Sequence, residues 1–118
     1  MTLKDEILQE ADGEEIESII IGPFGWSDIN VDDTDENSYF SRIRGGIPTP
    51  RNRKGILISW EEAIPYLNYQ YCGGYGAPEC HALYAYTKNK VIFISEYDGS
   101  THVTHLPRNP TECIPHMI

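Results

Sequence analysis

Cys80, His81 and Glu96 have the residue types of a thiolate–imidazole–carboxylate set. Such a set works when an imidazole takes the thiol proton and a carboxylate orients the ring. Cys80 and His81 are consecutive at the start of an expected strand, so their side chains leave the backbone on opposite sides. No nucleophile signature of a known cysteine-enzyme class surrounds Cys80. The expectation is no catalytic residue here, with His81 and Glu96 as a cross-strand polar pair that helps fix register.

Metal chemistry meets similar obstacles. The candidate ligands are Cys80-His81, His102 with His105, and Cys113 with His116. His102 and His105 would point to opposite faces of one strand, and no pair has C-x-x-C spacing. Asp28-Ile29-Asn30-Val31-Asp32 opens like a calcium loop, D-x-N-x-D. Asp33 then stands where a glycine should make the sharp turn, and Tyr39 where a glutamate should close the cage. Gly73-Gly74-Tyr75-Gly76 lacks the lysine of a phosphate loop and precedes a strand, so no helix N-terminus faces a phosphate. No metal and no cofactor are expected.

Two binding surfaces remain. Arg42, Arg44, Arg51 and Arg53, with Lys54, form a basic segment punctuated by Gly45-Gly46, Pro48 and Pro50. It reads as an arm for an anion or partner, pairing more readily with an acidic surface of this chain or a second copy than forming a preformed site. Tyr84, Tyr86, Phe93 and His102, with Trp26, are the ligand or interface candidates: aromatic bodies with polar tips.

The elements that must position these residues follow from period and punctuation. Residues 81–87, 91–97 and 101–106 are rich in aromatic and β-branched types and bounded by turns, which predicts a C-terminal meander over 81–106. Asp98-Gly99 suits a two-residue hairpin turn. That register sets Glu96 opposite Thr101, Ile94 opposite Val103 and Ile92 opposite His105. A two-residue turn at Lys88-Asn89 sets His81 opposite Glu96, Leu83 opposite Ile94 and Ala85 opposite Ile92. One face then carries Leu83, Ala85, Ile92, Ile94 and Val103, the expected core side. The other carries Tyr84, Tyr86, Val91, Phe93 and Leu106, with Ser95, His102 and Thr104.

Upstream, residues 2–11 predict a helix capped by Thr2 and Asp5, with Leu3, Ile7, Leu8 and Ala11 as its stripe and Gly13 past its end. Residues 16–21 predict an inner strand that stops at Gly22. Residues 23–54 predict a long irregular section, with a strand conceivable near 39–43. Residues 55–59 predict a short strand. A second helix opens on a Ser59–Glu62 capping box, buries Trp60, Ala63, Ile64 and Leu67, and is shortened or bent by Pro65.

Length and charge bound the function classes. The 118 residues suit one domain, and 40% apolar content is enough for a modest core. The net charge is −9, and its distribution is uneven: residues 1–40 hold twelve acids and one base, whereas residues 41–54 hold five bases and no acid. An acidic chain argues against non-specific nucleic-acid binding. It suits a basic protein partner or self-association. Three cysteines make no disulfide framework, though Cys72 and Cys80 could bridge the glycine loop. Residues 1–15 lack the apolar core of a signal peptide, and no run has the length of a membrane span, so a cytoplasmic location is expected.

Three stretches taken together also resemble a known group. They are residues 16–26 (IESIIIGPFGW), residues 59–67 (SWEEAIPYL), and residues 73–110, with GGYGAPECHA, the strand at 91–93, YDGST and PRNP. The pattern is similar to that of small uncharacterised bacterial proteins found as stand-alone reading frames, including mobile (integron) gene cassettes. The resemblance implies a bacterial cytosolic protein and transfers no catalytic residue. The sequence therefore predicts an α+β single domain: a mainly antiparallel sheet of about five strands with two short helices on one face. It predicts a non-enzymatic binding protein, self-associating as a homodimer. One alternative is a small-molecule binder or enzyme with a pocket between the aromatic face and residues 23–54. Another is an acidic inhibitor of a basic protein.

Overall fold

The computed structural model describes residues 1–24, 55–71, 73–74, 79–97, 99–110, 112–115 and 117. Its first element, helix α1 (Leu3–Ala11), begins as the sequence predicts. Thr2 Oγ1 accepts from the Asp5 N–H, and the Asp5 carboxylate accepts from the Thr2 N–H, so two donors left over at the helix start are satisfied reciprocally. The Leu3 N–H donates to the Tyr69 carbonyl at 2.8 Å. Leu3, Ile7 and Ala11 are buried, but Leu8 is 42% exposed and lies off the stripe. The period explains this: Leu8 is one residue round from Ile7, about 100° away. The helix ends on Asp12 at φ 51, and Gly13 follows at φ 86. The left-handed cap thus falls one residue before the glycine, on a residue type that tolerates it.

Strand β1 (Ser18–Phe24) runs past Gly22 rather than stopping there. The ladder shifts register between Ile21 and Phe24, and such an irregularity accommodates Pro23 within a strand. Pro23 and Phe24, expected to open an irregular section over 23–54, thus belong to β1, and residues 25–54 lie outside the described residues. After Gly55, at φ 75, come the short strand β2 (Leu57–Ile58) and helix α2 (Trp60–Leu67). Ser59 Oγ accepts from the Glu62 N–H at 3.1 Å. Ala63 and Leu67 are fully buried, with Trp60 packed at the edge of the core. Pro65 sits on the exposed side of this two-turn helix.

Strands β3 (His81–Tyr86), β4 (Lys90–Tyr97) and β5 (Ser100–Pro107) complete a five-stranded sheet of order β2-β1-β3-β4-β5, every pair antiparallel. The α+β architecture is as expected. The hairpin register is as read from the two-residue turn: Glu96 pairs with Thr101, Ile94 with Val103 and Ile92 with His105. Gly99 supplies the positive φ, at 80. Between β3 and β4, Ala85 faces Ile92 as predicted, and the ladder runs from Tyr84–Phe93 to Tyr86–Val91.

Both helices cover one side of this sheet. Leu3, Ile7 and Ala11 of α1 and Ala63 and Leu67 of α2 share a core with Ile19, Ile21, Ile58, Leu83, Ala85 and Ile92, and Ile94 and Val103 border it. β1 is an inner strand, as its Ile19-Ile20-Ile21 run predicts. Ile20, on the side away from the helices, is half-buried.

Polar contacts lock the β3–β4 turn to the end of α1. Lys90 Nζ donates to the Glu10 and Ala11 carbonyls at 3.0 and 3.3 Å, placing a cation at the negative end of the helix. Glu14 accepts from Thr87 Oγ1 at 2.8 Å and from the Asn89 N–H at 3.2 Å. Arg108, in the Pro-Arg-Asn-Pro turn, bonds Glu17 and the Thr87 carbonyl and stacks over the Tyr86 ring at 5.7 Å. At the opposite end, the Gly73 carbonyl accepts from the Thr101 N–H at 2.9 Å.

Two stability tests follow from these contacts. A Cβ on Gly73 would lie 2.7 Å from the Thr101 carbonyl oxygen, whereas one on Gly22 would make ordinary contact with Ala82. Gly73→Ala should cost about 1–3 kcal/mol in urea unfolding, by analogy with overpacked sites. Gly22→Ala should cost clearly less, and equal losses would contradict the close approach. The hydrogen bonds from Thr87 and then Asn89 hold Glu14 below the usual carboxylate range. Its folded-state pKa is depressed, so its contribution is complete above the unfolded value of about 4.3 and is lost as pH falls through the folded value. Glu14→Gln should flatten the dependence of Tm on pH below that point; an unchanged slope would remove Glu14 from the account.

Candidate functional site

The sheet side away from the helices gathers most of the aromatic candidates. Along β3, Tyr84 and Tyr86 alternate with Leu83 and Ala85, so one set enters the core and the other faces outward. Cross-strand pairing then sets Tyr84 beside Phe93 and Phe93 beside Thr104, and Tyr86 beside Val91 and Val91 beside Leu106. Tyr84 is 54% exposed, Leu106 45% and Leu57, on β2, 59%. Phe93, Val91 and Tyr86 are half-buried in the same surface, and Ser95 and Thr104 are buried. His102 is exposed, opposite Ser95. Trp26, the fifth candidate, lies outside the described residues, as do Arg42, Arg44, Arg51 and Arg53 and the acidic loop at 28–32.

His81 and Glu96 have different surroundings. His81 is fully buried and Glu96 is exposed. The hydroxyl of Tyr69 accepts from the His81 N–H and shares a second hydrogen bond with His81 Nδ1, both at 2.8 Å. The two rings meet edge to face, 5.7 Å between centroids. Thus His81 is held by a tyrosine from the α2–β3 connection. The sequence signal for that tyrosine is faint: Tyr69 and Tyr71 flank Gln70 just past the end of α2, with the alternation of an extended segment.

Cys80 is a free, buried thiol, so it forms no bridge with Cys72. Burial, and then the Glu6 and Glu96 carboxylates, push it up to about 12. A thiol kept protonated in this way is a poor nucleophile at neutral pH.

A concavity lies between α1 and the outer edge of β5. It has a volume of about 240 Å³ and is bordered by Glu6, Glu10, Tyr71, Gly73, Thr101 and His102, among others. Tyr71 Oη donates to Glu6 Oε2 at 2.6 Å, and Glu10 bonds His105. Burial, followed by the neighbouring Glu6, raises the Tyr71 pKa well above its usual value. Neither Tyr71 nor the two glutamates stands out in the sequence as a site residue, because helix, loop and edge strand meet only in the fold. Among the described residues, no three histidine, cysteine or acidic side chains are placed to hold a metal ion. No helix among them is long and apolar enough to cross a membrane.

Compared with protein-family models, curated proteins and solved structures, the chain matches none.

The state of Cys80 is open to a direct check. Iodoacetamide at neutral pH should label the exposed Cys113 at an ordinary thiol rate. Cys80 should label at least about 100-fold more slowly until the protein is unfolded, because so little of it is thiolate. Peptide mass mapping over time reads both rates, and comparable labelling would restore Cys80 as a reactive group.

Proposed function

We propose that this protein is a non-enzymatic interaction module that self-associates through its aromatic sheet face. The observation that carries the reading is the asymmetry of the sheet. Two helices bury the aliphatic side, while Tyr84, Leu106 and Leu57 stand about half exposed on the other, beside Tyr86, Val91 and Phe93. Large apolar and aromatic side chains clustered on one face, with polar tips among them, suit a protein interface. An isologous pairing would cover the patch on both copies at once. The net charge of −9 favours a contact built on such an uncharged patch, or one with a basic partner, over nucleic acid. The resemblance to small bacterial proteins fits a cytoplasmic location for this role.

A pocket that brings His102 and Tyr84 to residues 23–54 is the second reading, because aromatic hydroxyls and an imidazole on one face can orient a small molecule.

Sedimentation velocity of the wild type and of Tyr84→Glu tests the first reading. The wild type should sediment as a dimer, and the variant should weaken dimerisation about 30-fold or more, the effect of losing an interfacial tyrosine worth about 2 kcal/mol or more. A wild type that stays monomeric at high micromolar concentration would refute self-association.

A further inference from the structure

The cleft between α1 and β5 lies on the helix-covered side of the sheet and plays no part in the interface proposed above. Two independent features mark it. The first is charge: Glu6 and Glu10 sit one helical turn apart and both border it. Each is oriented by a partner, Tyr71 for Glu6 and His105 for Glu10. The second is an unmet hydrogen bond. Thr101 is 5% exposed and lines the cleft, and its hydroxyl oxygen is buried with no hydrogen-bond partner among the described residues. The Thr101 backbone N–H is already taken by the Gly73 carbonyl. Strand alternation puts the Thr101 side chain on the same side as Val103 and Ile94, toward α1. A buried hydroxyl left unpaired is unfavourable, and a donor entering the cleft would satisfy it.

We propose that this cleft binds a primary alkylammonium group. An ammonium brings three N–H donors in a compact head, matching two carboxylates and one hydroxyl. Charge-assisted bonds to Glu6 and Glu10 supply most of the attraction. Val103, at the border of the cleft, offers an apolar contact for the first methylenes. An anion would meet two carboxylates. A hard divalent cation would look for six or more oxygen ligands, with more carboxylates than the cleft presents. The same head group could arrive on a free diamine or on a lysine side chain of a partner.

The test is a titration of ¹⁵N-labelled full-length protein, followed by NMR, with putrescine, with a doubly blocked lysine, and with n-butanol as the uncharged control. The amides of Glu6, Gln9, Gly73 and Thr101 should shift together and saturate with the two amines, and should not move with butanol. Tighter binding of putrescine would assign the site to free diamines, and tighter binding of the blocked lysine to a partner's side chain. Thr101→Val and Glu6→Gln should each weaken binding about tenfold, the loss expected of one bond to a charged donor. Thr101→Val should leave Tm unchanged or raised, because it removes an unpaired hydroxyl, so loss of binding cannot be put down to misfolding. Amine shifts absent from Gly73 and Thr101, or affinity unchanged in both variants, would overturn the proposal.

Discussion

Tyr69 joins three elements that would otherwise be independent. Its carbonyl accepts the first free N–H of α1, its own N–H returns to Leu67 at the end of α2, and its hydroxyl takes the N–H of the first residue of β3. The same hydroxyl holds the buried His81 ring. Tyr69 and His81 lie inside the protein, where an unmade hydrogen bond costs more than a made one contributes. The position of α1 over the sheet, the exit of the chain from α2 and the entry of β3 are thereby fixed together. The apolar core tolerates small shifts, whereas this polar node does not, because its partners must meet at hydrogen-bond distance.

The opposite end of α1 is held by charge. Lys90 closes the helix C-terminus, Glu14 gathers Thr87 and Asn89, and Arg108 reaches back to Glu17, the Thr87 carbonyl and the Tyr86 ring. Each contact is modest alone, because surface ion pairs are screened by water. Together they tie the helix end, the β3–β4 turn and the segment after β5 into one corner. In a chain of net charge −9, two of its few bases are committed to this corner. On the acidic face of α1 beside β5, His105 bonds Glu10 and Tyr71 bonds Glu6.

The two sides of the sheet differ in what covers them. One side is filled by helices and fixes the fold. The other presents aromatic side chains whose rows are set by cross-strand pairing rather than by contact with a helix. Because the side-chain period of a strand is two, the same register that buries Leu83, Ala85 and Ile92 necessarily turns Tyr84, Tyr86 and Phe93 outward. The aromatic face is thus a consequence of the core.

What the sequence determined by itself was local. Thr2 with Asp5 and Ser59 with Glu62 announced both helix starts, Asp98-Gly99 set the β4–β5 register, and the alternation from His81 to Val103 separated a core face from an aromatic one. These signals are legible because capping, turn geometry and strand period act within a few residues. Three details departed from the expected pattern: Leu8 lies off the stripe by the helix period itself, the left-handed cap falls on Asp12, and β1 runs through Pro23 across a register shift. The tertiary structure alone decided which strand joined β1 to the hairpins, that Tyr69 would hold His81, that Cys80 would be a buried and inert thiol, and that Glu6, Glu10 and Thr101 would share one cleft. Those outcomes depend on residues far apart in the chain, brought together by burial of apolar surface, and no local spacing records them.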